Sequence, residues 1–128
     1  MELKFEAGQK HEIQAVVDIN DTARFYGSGN LEVFATPAMI ALMEGAAKES
    51  VEKVLPDGYT TVGIEVSIKH IKATGIGIKV RIEALLEKIE GKRLYFKVEA
   101  YDENGKIGEG THVRYIVNSE DFMKRLSK

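Results

Sequence analysis

The spacing of apolar residues changes once along this chain, from a 3.6-residue repeat to strict alternation, and that change limits what it can fold into. Met39, Ile40, Leu42, Met43, Ala46, Ala47, Val51 and Val54 form a broad stripe at helical spacing over residues 37–55, the mark of a helix with one buried face. Thr36 suits the N-cap and Pro37 the first helical position. Pro56-Asp57-Gly58 ends the helix. From residue 60 onward the period is 2. Residues 60–72, 76–89, 92–102 and 106–117 are strand candidates, and residues 11–17 form a further one ahead of the helix. Ile76, Ile78, Val80 and Ile82 alternate with Lys79, Arg81 and Glu83. Leu94, Phe96, Val98 and Ala100 alternate with Tyr95, Lys97, Glu99 and Tyr101. Residues 18–33, with Asn20-Asp21, Gly27, Gly29 and Asn30, read mostly as loop. Ser119–Lys128 reads as a short capped amphipathic helix.

The connections are short: Ala73-Thr74-Gly75, Glu90-Gly91 and Glu103-Asn104-Gly105. The last two are hairpin signals. Short connections predict that the four strands after the helix form an antiparallel meander. Long strands twist, and the long apolar helix is what such a sheet can curl around. Gly45, Ala46 and Ala47 keep the middle of that helix slim for close approach. The expectation is one α+β domain over residues 1–128, a long central helix wrapped by a curved antiparallel sheet, which is the hotdog architecture. Long open sheet edges invite pairing, so a homodimer or a higher oligomer is expected.

Composition closes off several classes. A formal charge of -2 argues against a general nucleic-acid binder. No apolar run approaches the roughly 20 residues that span a bilayer, and the start M-E-L-K-F-E-A-G-Q-K lacks the apolar stretch of a signal peptide. A cytoplasmic protein without membrane or nucleic-acid partners is expected. With no cysteine, disulfides and thiolate chemistry are excluded.

Val62, Ile64, Val66 and Ile68 alternate with Gly63, Glu65, Ser67 and Lys69. That register runs on into His70 and aims an imidazole at the core face. Glu44 is the one charged residue in 37–47, at the margin of the apolar stripe. Each has a structural alternative: a satisfied core histidine, and an edge carboxylate that reaches solvent or pairs with Lys48. Together they make an acid–base pair whose protonation burial and pairing can tune. Thr36 is either a cap or a hydroxyl set beside the free N–H groups of a helix start, where an oxyanion can be held. Gly108 and Gly110 leave one face of the last strand bare, for close helix packing or for a slender substrate arm. His112 and Arg114 share their parity. A metal site from His70, His112 and Glu44 lacks a spaced ligand motif, so no metal and no cofactor is expected.

The blocks V-F-A-T-P-A-M-I-A-L-M-E-G-A-A (33–47), T-T-V-G-I-E-V-S-I-K-H-I-K-A-T-G-I-G (60–77), E-G-K-R-L-Y-F-K-V-E-A-Y-D (90–102) and I-G-E-G-T-H-V-R (107–114) resemble the fluoroacetyl-CoA thioesterase family of hotdog proteins in order and spacing. The resemblance spans about residues 10–122. It implies hydrolysis of acyl-CoA thioesters by a homodimer with sites at the subunit interface, CoA being part of the substrate. It implies catalytic roles for Thr36, Glu44 and His70. It also implies substrate-binding roles for Gly63, Gly110, His112 and Arg114. Tyr26-Gly27-Ser28-Gly29-Asn30 stands where the fluoroacetyl-specific pattern has lid phenylalanines, so the resemblance leaves the acyl group open. Lys69, Lys72, Lys92 and Arg93 are the candidates for the CoA phosphates. Two other functions fit this fold: a non-catalytic acyl-CoA sensor, against which the titratable residues speak, and an enoyl-CoA hydratase, whose Asp/His pair near a helix start is missing.

Overall fold

The apolar stripe of the first half is a helix laid across a sheet. The computed structural model describes Leu3 and residues 5–127. In chain order the elements are β1 (Lys10–Val16), a 3-10 turn (Ile19–Asp21), α1 (Ala23–Tyr26), α2 (Thr36–Glu52), β2 (Tyr59–His70), β3 (Lys79–Glu90), β4 (Arg93–Asp102), β5 (Gly105–Asn118) and α3 (Ser119–Leu126). Lys128, which the tail-helix expectation included, lies outside the described residues. All strand pairs are antiparallel, in the order β1-β3-β4-β5-β2. This is the expected α+β arrangement of one long helix on a single sheet.

Two expectations need correcting. The meander has three strands, β3-β4-β5, and β2 sits beside β5 at the far edge from β1. Residues 71–78 are therefore a crossing, not a hairpin turn. The chain leaves β2 at Ile71, whose N–H bonds the Ile107 carbonyl of β5, and reaches the end of β1 at Gly77, whose N–H bonds the Val17 carbonyl. On the way Gly75 bridges Val33, and the Thr74 carbonyl accepts from the Phe34 N–H. That loop occupies the residues expected to begin the next strand, so β3 starts at Lys79 rather than at residue 76. The second correction concerns β2. Its pairing skips Ile64: Gly63 faces Arg114 and Glu65 faces Val113. This bulge shifts the alternation by one residue. Thr61 and Gly63 lie on the helix-facing side together with Val66, Ile68 and His70, while Val62 pairs with Tyr115 on the outer side.

The helix-facing side is built as rungs. One runs Ile13, Ile82, Ala100, Gly108, His70; another Leu86, Phe96, His112, Val66; a third Leu94, Arg114, Gly63. Against them α2 buries Ala38, Met39, Met43, Ala46, Ala47 and Val51. Each large side chain buried here stabilises by about 1.5–3 kcal/mol. A Cβ on Gly108 would lie 2.5 Å from the Met39 sulfur, so this glycine lets α2 approach β5. Gly45 has no such duty, since a Cβ there would meet nothing within 4 Å. Among the described residues no helix is long and apolar enough to cross a membrane.

Candidate active site

Thr36 does not cap its helix. The cap position belongs to Ala35, which makes no side-chain cap bond, and Thr36 is already in the first turn with Pro37 behind it. Its hydroxyl lies 2.8 Å from Nδ1 of His70, the last residue of β2. Phe34 stands edge-on to the same imidazole, with centroids 6.2 Å apart. Burial lowers the His70 pKa, and the Lys72 backbone opposes this by favouring the protonated ring. Nε2 is buried and has no hydrogen-bond partner among the described residues. When the ring's single proton is on Nε2, Nδ1 accepts from the Thr36 hydroxyl. Both residues line a cavity of about 290 Å³ with Ala23, Ser28, Val33 and Lys72.

Glu44 lies elsewhere. It is half-buried, two turns along α2 from Thr36, or about 12 Å. Its Oε2 lies 3.2 Å from the point where a Cβ on Gly63 would sit; His112 Cε1 is 3.1 Å and Arg114 Nη1 3.3 Å from that point. The missing side chain at Gly63 is thus the space into which a carboxylate, an imidazole and a guanidinium converge. Arg114 is 7% exposed and His112 1%. His112 Nδ1 is 2.9 Å from the Glu65 carbonyl, so it carries the proton and donates; Nε2 is left to accept from Arg114 Nη1 at 3.2 Å. Burial is the main cause that lowers the pKa of both His112 and Arg114, and the Glu44 charge opposes it. Phe96 stacks on the His112 ring.

The structure therefore assembles two groups, Thr36 with His70 and Glu44 with Gly63, His112 and Arg114. It does not bring Glu44 to His70 within one chain. Gly108 faces His70 and Arg114 is six residues further along β5, about 20 Å away. The bare surface at Gly110 is taken up by β2: a Cβ there would overlap the Ser67 carbonyl. His70, His112 and Glu44 are not gathered for a metal, and among the described residues no group of three such side chains is. The basic candidates are dispersed. Lys72 lines the Thr36 cavity, Lys69 a groove on the outer face, and Lys92 a pocket with Tyr59 and Arg125 at the opposite end. Arg93 pairs with Tyr115. Thr61, which donates nothing to the sequence argument, proves to be a partner of Arg114 through both its hydroxyl and its carbonyl. The signal that could have found it is Gly63, since an isolated glycine inside a strand marks a bulge.

The family model of the fluoroacetyl-CoA-specific thioesterases matches residues 17–120. The fluoroacetyl-CoA thioesterase of Streptantibioticus cattleyicolor is 38% identical over 91 residues, 71% of this chain. The match spans 66% of that relative's length. A crystal structure of a mutant fluoroacetyl-CoA-specific thioesterase superposes with a TM-score of 0.92 at 31% identity, covering 98% of each chain. The same mutant in complex with fluoroacetate and CoA gives 0.88 at 33% identity over 92% of this chain and 99% of that one. The matched stretch contains α2, β2 to β5 and every residue of both groups described above. The chain belongs to the fluoroacetyl-CoA-specific thioesterase family and shares the hotdog fold of its solved relatives.

Proposed function

We propose that two copies of this chain form an acyl-CoA thioesterase whose site joins Thr36 and His70 of one protomer to Glu44, Gly63 and Arg114 of the other. The observation that carries this is the division of the chemistry into two groups about 20 Å apart in one chain. A second observation supports it. β2 is an edge strand of 12 residues, with Ile64 47% and Val66 41% exposed along it. Such an edge is a template for another strand. A two-fold axis through it runs the paired strands in opposite directions, which carries the His70 end of one toward the Gly63 end of the other. The acyl-CoA substrate follows from family membership and from the relative bound to fluoroacetate and CoA. A cytoplasmic setting belongs to the same proposal, with a cysteine-free chain in its support.

In this mechanism the Thr36 hydroxyl gives its proton to His70 Nδ1 as its oxygen bonds the thioester carbonyl carbon. First-turn N–H groups of α2, which lack intrahelical acceptors, hold the oxyanion. The C–S bond breaks, and the CoA sulfur takes the proton from His70. Water, activated by the partner's Glu44, then attacks the acyl-threonine. Its proton returns to the Thr36 oxygen and the carboxylic acid leaves. The test is release of free thiol from a panel of acyl-CoAs, followed with a thiol reagent. Turnover of at least one acyl-CoA, lost in Glu44→Gln and in His70→Ala by about 10²–10⁴, is the expected result. Near-normal rates in both variants would remove these residues from the mechanism.

A further inference from the structure

Glu44 and Arg114 are close, oppositely charged and not paired. Their polar atoms converge on the space above Gly63, yet no ion pair joins them among those formed by the described residues. The reason is where the guanidinium is tied. Nε donates to the Thr61 hydroxyl at 2.7 Å, Nη2 to the Thr61 carbonyl at 2.9 Å, and Nη1 to His112 Nε2 at 3.2 Å. A guanidinium has five N–H donors in a fixed plane. Three are spent on β2 and β5, which leaves one each on Nη1 and Nη2. Thr61 supplies two of the three anchors and is itself buried.

We propose that Thr61 is a positioning residue: with His112 it clamps Arg114 to the sheet, so that the guanidinium does not close on Glu44. This rests on the reading of Glu44 as part of the reacting site. The clamp has two results there. Glu44 keeps its carboxylate oxygens unengaged and able to take a proton from water. Arg114 keeps one N–H beside Gly63 for an oxygen or another electronegative atom of the acyl group. Without the Thr61 hydroxyl, Nε–H is a buried donor with no acceptor, a state costly enough to drive the plane to a new partner. Glu44, whose carboxylate reaches the same space above Gly63, is an anionic one at hand. His112 faces the pair from β5, and Glu52, on the same helix as Glu44, acts on Arg114 as well.

The test uses Thr61→Val, which keeps the shape and removes the hydroxyl, and Thr61→Ser, which restores it. In crystal structures, Thr61→Val is expected to show Arg114 paired with Glu44, while wild type and Thr61→Ser keep them apart. In steady-state assays, Thr61→Val should lose about ten- to a hundredfold in kcat/KM, largely through kcat, and Thr61→Ser should recover most of it. If the loss acts through Glu44, adding Thr61→Val to Glu44→Gln should cost little further. An unmoved guanidinium, an unchanged kcat/KM or full additivity each overturns the proposal. If wild type hydrolyses no acyl-CoA while Arg114 still closes on Glu44 in Thr61→Val, the clamp stands and the thioesterase reading falls. Should Thr61→Val fail to fold, Thr61→Ala takes its place, and the wild-type protein offers a second measurement. The Arg114 Nε–H should give a resonance protected from exchange, and its absence overturns the clamp.

Discussion

The hydroxyl of Thr36 and Nδ1 of His70 share a hydrogen bond of 2.8 Å, joining the start of α2 to the end of β2. Neither residue is engaged as its position alone would suggest. A threonine at a helix start usually satisfies backbone N–H groups, and a histidine at the end of a buried strand face usually finds a backbone partner. Here each is partnered by the other, at the mouth of a cavity.

Because Thr36 caps nothing, removing its hydroxyl should barely affect stability. Thr36→Ala is expected to melt near the wild-type temperature and lose turnover by about a thousandfold, while Thr36→Ser keeps a substantial rate. Thermal melts beside thiol-release assays check this. A Thr36→Ala protein that is active, or that is destabilised by the ~1 kcal/mol of a lost cap, would return Thr36 to a structural role.

His70 must be neutral to accept a proton, and its folded pKa lies below the ordinary 6.5 because burial outweighs the Lys72 backbone. As pH falls, the ring stays neutral past 6.5 and protonates only below it. The acidic limb of kcat/KM should therefore have its midpoint under pH 6.5. A midpoint above that value would mean that His70 is not the group being titrated.

Subunit exchange separates one-chain from two-chain sites. Thr36→Ala protein mixed with Glu44→Gln protein should recover toward half of wild-type activity, since a heterodimer has one site with both lesions and one with neither. If both residues came from one chain, every site would carry a lesion and nothing would recover. A monomer by light scattering across the assay concentrations would reject the composite site.

Two glycines on the helix-facing side should respond differently to the same methyl group. In Gly108→Ala the new carbon meets the end of the flexible Met39 side chain, so a cost of about 1–3 kcal/mol in stability with activity kept is expected. In Gly63→Ala it enters the space shared by Glu44, His112 and Arg114. Activity should fall at least tenfold with little change in melting temperature. Equal behaviour of the two variants would count against Gly63 as part of the site.

The helix, the strand count and the fold class were legible because apolar periodicity is set by burial, and burial on one face leaves a repeat in the sequence. Glu44 and His70 were legible as polar intrusions into that repeat, and Thr36 as a hydroxyl at the helix start. The neighbours of each were not. Ala73-Thr74-Gly75 looks like a turn because short polar-and-glycine segments close hairpins, yet here it crosses the end of the sheet, and only the pairing of β2 with β5 decides which. The second group was hidden for a similar reason. Simple alternation puts Thr61 and Gly63 on the opposite face from His70, and a single unpaired residue reverses that. What ties Arg114 in place is a long-range contact from Thr61, and the only local trace of the bulge that allows it is the glycine at 63.

That unpaired residue, Ile64, makes β2 count differently from the chain that encodes it. Gly63 and His70 are seven positions apart in sequence and six rungs apart along β5. Loss of Ile64 would straighten the strand and leave both residues in phase. An added residue anywhere between Glu65 and His70, unless it formed a bulge of its own, would turn the imidazole to the outer face while Arg114 stayed where it is. The strand is thus tolerant of a deletion at one position and intolerant of an insertion a few residues later. The two groups that do not meet in one chain, Thr36 with His70 and Glu44 with Gly63 and Arg114, are kept in step by the parity of the strand between them.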